Sequence, residues 1–473
     1  MKRFIFLFLL FHVKLLYASD FQVEINGSFP GAEGQMIRLM EYSDMISYRE
    51  KEIAYAIADE EGNFRITFTC FGPQYVFFRV DYAKMGMFVE PGITYSLEFD
   101  PVNFSQLDDT RNPWLNPWYF NFVISEPKQE LNYFINELEE LFFDFLEENF
   151  AAIHISRNRS LFDSFKKQTD SIFQHVNNEY FRDYYEYKFA FYYRLANIER
   201  FDRQMNNLIV NRPVLYNNTQ YMNFFNRVFD TYIFAGSRSV SIQDLTYTVN
   251  KLNSYHALMD SLGKDTLLRN EVLRELVLLK ALQDMYGNFD FRQENVENIL
   301  NYIQTNSKFH EHRQIAGSII HSKNHLSAGS RAPEFTVYDQ EDNVVNIPGD
   351  FEGKFIYLGF WATWCETCLL EMIALQELYE TYNENFVFVN ISTDRHRNFY
   401  QAFIDAHKPP WHSFHFDRDF RLIDAYQVRT LPAFVLIDEK GNIIQYPARK
   451  PSDDLKVQFD WLLNRRGASG HHR

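Results

Sequence analysis

Residues 354–380 read KFIYLGFWATWCETCLLEMIALQELYE, and no other stretch limits the fold as tightly. The run KFIYLGFW is almost continuously apolar, the pattern of a strand covered on both faces. A helical stretch follows over 366–381. Two of the chain's three cysteines, Cys365 and Cys368, fall at that strand-to-helix junction. A zinc ribbon needs a second pair, and the remaining Cys70 lies in a distant part of the chain. At the start of a helix, unpaired backbone N–H groups and the helix dipole favour a thiolate. Two intervening residues let the sulfurs meet across one turn, so the pair can close and open a disulfide. Cys365, nearer the helix end, is the candidate nucleophile, and Cys368 would resolve the mixed disulfide. Trp361 and Trp364 are expected to form an apolar rim.

The rest of the chain divides by period. Residues 21–105 read as β: FRITFTCF alternates, with Phe64, Ile66, Phe68 and Cys70 on one face, and TYSLEF places Tyr95, Leu97 and Phe99 together. A small antiparallel sandwich is expected, with Cys70 as a buried, inert thiol. From 115 to 322 the period turns helical, as in Leu131, Phe134, Leu138, Leu141 and Phe145, and seven or eight helices are expected. HSKNHLSAGSRAPEF (321–335) reads as a linker. Beyond it, FVFVNIS and AFVLID join KFIYLGFW as buried strands, alternating with helices at 366–381, 397–407 and 452–465. This predicts an α/β sheet, mostly parallel, with a terminal hairpin around DEKGN. Within RTLPAFVLID, Pro432 directly precedes a core strand, where it cannot donate to the sheet. Together with WCETC, the Leu431-Pro432 step reads as a cis-proline substrate loop.

On these motifs (APEF at 332–335, FWATWCETC at 360–368, TLPAFVLID at 430–438 and DEKGN), residues 331–467 resemble the thioredoxin superfamily, most closely its TlpA/ResA-type periplasmic thiol–disulfide oxidoreductases. The preceding β region, with FVEPG at 88–92, resembles the β domain that often precedes such modules in Bacteroidota proteins. The expected organisation is therefore a leader (1–19), a β-sandwich (20–110), an all-α region (111–325), a thioredoxin-like α/β domain (326–467) and a tail (468–473). The resemblance implies protein thiols or disulfides as substrates, contacted by Trp361, Trp364, Leu431 and Pro432. It also leaves room for an electron donor in the membrane. Where the family usually has proline before the second cysteine, this chain has Thr367. Glu371 matches the glutamate of the family's C-x-x-E arrangement and is placed to exchange protons near the thiols.

Composition sets the outer limits. The formal charge of −16 disfavours nucleic acid as a partner, since phosphate binding needs basic surface. The 48 Phe and 29 Tyr argue for filled cores, not disorder. MKRFIFLFLLFHVKLLYASD has the basic start, apolar run and small residues of a secretory leader, and no later stretch is long and apolar enough to span a bilayer. Export to the periplasm or cell envelope is expected, in a compartment where disulfides persist. With so few cysteines, the close pair is left for chemistry. No residue pattern calls for a metal or an organic cofactor; the redox agent is the Cys365–Cys368 disulfide. Glu366 beside Cys365 opposes ionisation of its thiol, which favours a reductant. Two other readings compete: a peroxidase, because APEF also opens peroxiredoxins, and a binding or assembly factor whose thioredoxin module serves for docking. Against the first, Trp361 and Trp364 stand where a peroxidatic cysteine needs P-x-x-x-T-x-x-C; against the second, both cysteines are retained.

Overall fold

The computed structural model describes residues 21–104, 118–154, 159–210, 212–230, 232–237, 239–286, 288 and 290–469. The expected leader, the boundary at 110/111 and tail residues 470–473 lie outside the described residues.

Eight strands come first: β1 (Gln22–Ser28), β2 (Met36–Tyr42), β3 (Glu50–Ile57), β4 (Asn63–Thr69), β5 (Gln74–Val80), β6 (Ala83–Val89), β7 (Thr94–Phe99) and β8 (Phe122–Glu126). They form two four-stranded sheets, ordered β4-β1-β7-β8 and β3-β2-β5-β6. Alternation puts Val23, Ile25, Ile66, Tyr95, Leu97 and Phe99 of one sheet against Val76, Phe78 and Met87 of the other, in one core. Two expectations change. The sandwich is not wholly antiparallel, because β1 and β7 pair in parallel. The chain builds the second sheet between these strands, and that excursion is the long crossover a parallel pair requires. The β unit also continues past residue 110, since β8 pairs with β7.

Ten α-helices follow among the described residues: α1 (Leu131–His154), α2 (Arg159–Phe173), α3 (Glu179–Leu195), α4 (Phe201–Leu208), α5 (Thr219–Phe229), α6 (Ile242–Tyr247), α7 (Tyr255–Leu262), α8 (Glu271–Met285), α9 (Gln293–Asn306) and α10 (His310–Asn324). The excess over seven or eight lies in α4, α6 and α7, each at most eight residues long, too short to carry a legible period. Asn178, Asn218 and Asn270 cap α3, α5 and α8 by accepting a backbone N–H through their side chains. Helix α8 is buried on most of its faces, from Leu273 to Met285, and forms the axis of the larger helical core. Because α10 runs to Asn324, the link to the last unit is shorter than expected.

That last unit holds β9 (Phe335–Tyr338), β10 (Val344–Ile347), β11 (Phe355–Trp361), α11 (Glu366–Tyr382), β12 (Phe386–Ser392), α12 (Arg397–His407), β13 (His412–His415), α13 (Phe420–Ala425), β14 (Ala433–Ile437), β15 (Ile443–Gln445) and α14 (Leu455–Ser469). A five-stranded sheet runs β13-β12-β11-β14-β15, with a separate β9–β10 hairpin. Its pairs are parallel on the β12–β13 side and antiparallel on the β14–β15 side, so the sheet is mixed, not mostly parallel. Continuous burial shows that a strand is covered on both faces but is silent on its direction. Every residue of β11 and β12 is buried. Phe459 of α14 and Leu375 of α11 pack on one face, while Tyr426, Leu422 and Ile423 pack on the other. Among the described residues no helix is long and apolar enough to cross a membrane.

Candidate active site

Strand β11 delivers the site from the middle of the sheet. Gly359 is required there: a Cβ would meet the Asn390 amide at 2.7 Å and the Phe434 ring at 2.9 Å. The strand ends at Trp361, whose carbonyl accepts hydrogen bonds from Thr393 N (2.8 Å) and Thr393 Oγ1 (3.1 Å). The next loop, 362–364, is pinned by one carboxylate. Asp394 accepts from the Thr363 backbone N–H at 3.0 Å and from Thr363 Oγ1 at 2.7 Å, and Ser392 Oγ donates to it at 2.6 Å. Asp394 is fully buried, and these bonds answer the cost of burying it.

Cys365 then caps α11. Its sulfur accepts from the Cys368 backbone N–H at 3.2 Å, the place a serine or aspartate oxygen takes at an ordinary helix start. Cys365 and Cys368 are joined by a disulfide, with Cα atoms 5.2 Å apart. Both are buried, Cys365 at 6% exposure and Cys368 at 2%. An N–H aimed at the first sulfur and the positive end of a 17-residue helix both stabilise its thiolate once the disulfide opens. Around the pair pack Trp361, Tyr400 and Ile404, all buried, and the half-buried Trp364, Phe403 and Leu431. The Leu431–Pro432 peptide bond is cis. Pro432, Glu371, Trp361 and Cys368 line one narrow crevice behind the disulfide.

This arrangement sits within residues 327–457, which match the Redoxin family. The chain is similar to the thiol–disulfide oxidoreductase ResA of Halalkalibacterium halodurans, with 32% identity over 29% of this chain and 77% of that protein. The chain belongs to the ResA/TlpA-type thiol–disulfide oxidoreductases. ResA of Bacillus subtilis is similar too, at 29% identity over 28% of this chain and 73% of that protein. A crystal structure of the thioredoxin domain of a Bacteroides vulgatus thiol-disulfide oxidoreductase matches at 27% identity, with a TM-score of 0.26 and cover of 28% of this chain and 96% of that one.

In this oxidoreductase the residues singled out by sequence fall into two groups. Cys368, Glu371 and Pro432 converge on the crevice, and Cys365, Trp364 and Leu431 stand beside it in the apolar cluster around the pair. Trp361 is the exception to the expected rim. It is only 3% exposed, because it ends a central strand and its indole packs under the loop against Phe403 at 4.8 Å. Its indole N–H has no hydrogen-bond partner among the described residues. The Glu371 carboxylate is anchored, accepting from Ser452 N at 3.0 Å and Ser452 Oγ at 2.8 Å. Glu366 and Thr367 between the cysteines are exposed. Sequence reading missed Asp394, Thr363, Ser392 and Ser452. The available signal was the polar triplet Ser392-Thr393-Asp394, which begins on the last residue of a strand that is apolar apart from Asn390 and marks where that strand's end meets a site.

Proposed function

We propose that the chain is an exported thiol–disulfide oxidoreductase of the periplasm or cell envelope that reduces disulfides in protein substrates. The observation that carries this reading is the Cys365 sulfur at the N-cap of α11, held against the Cys368 N–H and already joined to its resolving partner. The Cys365 thiolate attacks one sulfur of a substrate disulfide, forming a mixed disulfide and releasing one substrate thiolate, which takes a proton. Cys368 then attacks Cys365 and frees the second substrate thiol. Two electrons and two protons pass to the substrate, and an external dithiol returns the pair to the reduced state.

Glu371 is the proposed proton acceptor for Cys368, supported by its place in the same crevice and by its anchoring to Ser452. Trp364, Leu431 and Pro432 would seat the substrate chain. The exposed apolar side chains Leu370 and Ile373 on α11 suit a protein partner. The reductive direction rests on Glu366, a carboxylate next to Cys365 with no compensating cation between the cysteines.

Equilibration against glutathione tests the direction. A pair that is mostly oxidised in a buffer poised at roughly −200 mV is the expected result, and one left mostly reduced there refutes the reductant assignment. Trapping with Cys368→Ser tests the substrate class, since mixed disulfides with envelope proteins should accumulate.

A further inference from the structure

The β unit and the redox unit meet through charges that are buried, and the contact falls next to the loop that carries Cys365. Asp81 lies in the turn between β5 and β6 with a left-handed backbone (φ 57°) and a side chain of 0% exposure. Its Oδ2 accepts from Arg395 Nε at 2.6 Å, and Arg418 Nη2 lies 3.5 Å from the same oxygen. Arg395 is itself only 5% exposed. The neighbouring Tyr82 places its ring edge-on to Phe420, 4.8 Å between centroids, so the turn is seated in the core of the redox unit.

Arg395 directly follows Asp394, whose carboxylate holds the Thr363 N–H and hydroxyl. The Asp394 carbonyl is fixed in turn by His415 Nε2 at 2.6 Å. An unbroken run of short polar contacts therefore leads from the β5–β6 turn to the loop two residues before Cys365. A second grip reaches the other side of the site. Asp424 of α13 accepts from Arg38 Nη1 at 2.8 Å and Arg79 Nη1 at 2.5 Å, both from the β unit, and Arg421 donates to Glu52 at 2.8 Å. Helix α13 leads into the segment that presents Leu431 and Pro432.

A buried ion pair is poor adhesive, because taking both charges out of water costs most of what their attraction returns. Apolar side chains would join two units as well. What the pair supplies is a direction: the guanidinium has one favourable place, and the backbone of 394–395 must follow it. We infer that Asp81 is a positioning residue for the redox pair, acting through Arg395 and Asp394 to hold the 362–364 loop, and with it Cys365, in the arrangement that sets its reactivity. The inference rests on the oxidoreductase reading above and adds a role for the β unit.

The test uses the full chain with Asp81→Asn, Asp81→Glu and the double variant Asp81→Asn/Arg395→Gln, which removes both charges of the buried Asp81–Arg395 pair. Each is equilibrated with dithiothreitol redox buffers to obtain the thiol–disulfide constant of the Cys365–Cys368 pair, and each melting curve is recorded. Asp81→Asn should shift that constant by about 2- to 30-fold, the usual range for a residue that acts on a site through packed neighbours. Asp81→Glu should recover most of the shift. A folded Asp81→Asn chain with the wild-type constant, whatever its melting temperature, overturns the inference. If Asp81→Asn does not fold, the double variant is read the same way: a shifted constant supports the positioning role and an unshifted one ends it. A wild-type chain that fails to cycle with dithiothreitol at all breaks the oxidoreductase reading itself, and this inference with it.

Discussion

Cys70 and Cys365 are nearly equally buried, at 1% and 6% exposure, and both stand just past the end of a β-strand. What the backbone does next separates them. After Cys70 the chain bends, and the thiol lies 2.9 Å from the Gly72 carbonyl, to which it donates. Only the protonated sulfur can make that bond. After Cys365 the chain enters a helix, and the sulfur accepts an N–H. That contact strengthens as the sulfur gains charge. Burial raises the Cys70 thiol above its ordinary range, and the charges of Glu41 and Glu90 add to the effect. Burial by itself therefore does not mark a cysteine as inert or reactive; the direction of the nearest backbone dipole does.

The largest expected effect breaks or sustains this contrast directly. Cys365→Ser should abolish disulfide reduction, Cys368→Ser should stop turnover while trapping mixed disulfides, and Cys70→Ala should leave the rate unchanged. A Cys70→Ala chain that loses activity would place the third cysteine in the chemistry. Next in size is alkylation of the reduced, folded protein. Iodoacetamide should modify Cys365 faster than Cys368, and Cys70 more slowly than either, because burial raises the Cys70 thiol and keeps it protonated. Peptide mass spectrometry against time reads this, and equal rates for Cys70 and Cys365 would remove the dipole argument.

A smaller change is expected from Glu371→Gln. The pH dependence of thiol reactivity should move, with rates altered by about tenfold near neutral pH and the fold preserved. A profile that is identical to wild type from about pH 6 to pH 10 would make Glu371 a brace for Ser452 and nothing more. The smallest effect concerns stability. Cys70→Ala should cost about 1 kcal/mol, as for removal of one small buried group. Because the folded Cys70 thiol titrates above the unfolded one, its contribution is complete below the ordinary thiol value of 9.0 and is lost as the pH rises through the higher folded value. Denaturant midpoints of wild type and Cys70→Ala should therefore converge in alkaline buffer, and curves that stay parallel would contradict the buried-thiol reading.

The two regions were not equally legible. In the redox unit, two apolar strands and a helix flanking Cys365 and Cys368 were readable because each element is long, strongly patterned and ends at a distinctive residue. In the β unit, the inward faces of β4 and β7 were equally clear from alternation, including the burial of Cys70. The parallel β1–β7 pairing and the membership of β8 were not. Alternation records which face a side chain takes and nothing about which strand lies alongside. Trp361 shows the same limit in one residue. A tryptophan beside a cysteine pair suits a rim, yet its position at the end of a central strand sends it inward.

By itself the sequence determined the chemistry: a cysteine pair at a helix start, a proline before a core strand, and apolar runs able to bury both. These are local facts, set by neighbours within a few residues, and local sterics and backbone hydrogen bonds enforce them in any fold that forms the elements. The tertiary structure alone decided what holds that chemistry in place. Thr363 meets Asp394 across 31 residues, Glu371 meets Ser452 across 81, and Arg395 meets Asp81 across 314. No period or spacing encodes such meetings. Those at Asp394 and Asp81 exist because burying a charge is tolerable only beside groups that satisfy it, and those groups are known only once the chain has closed around it.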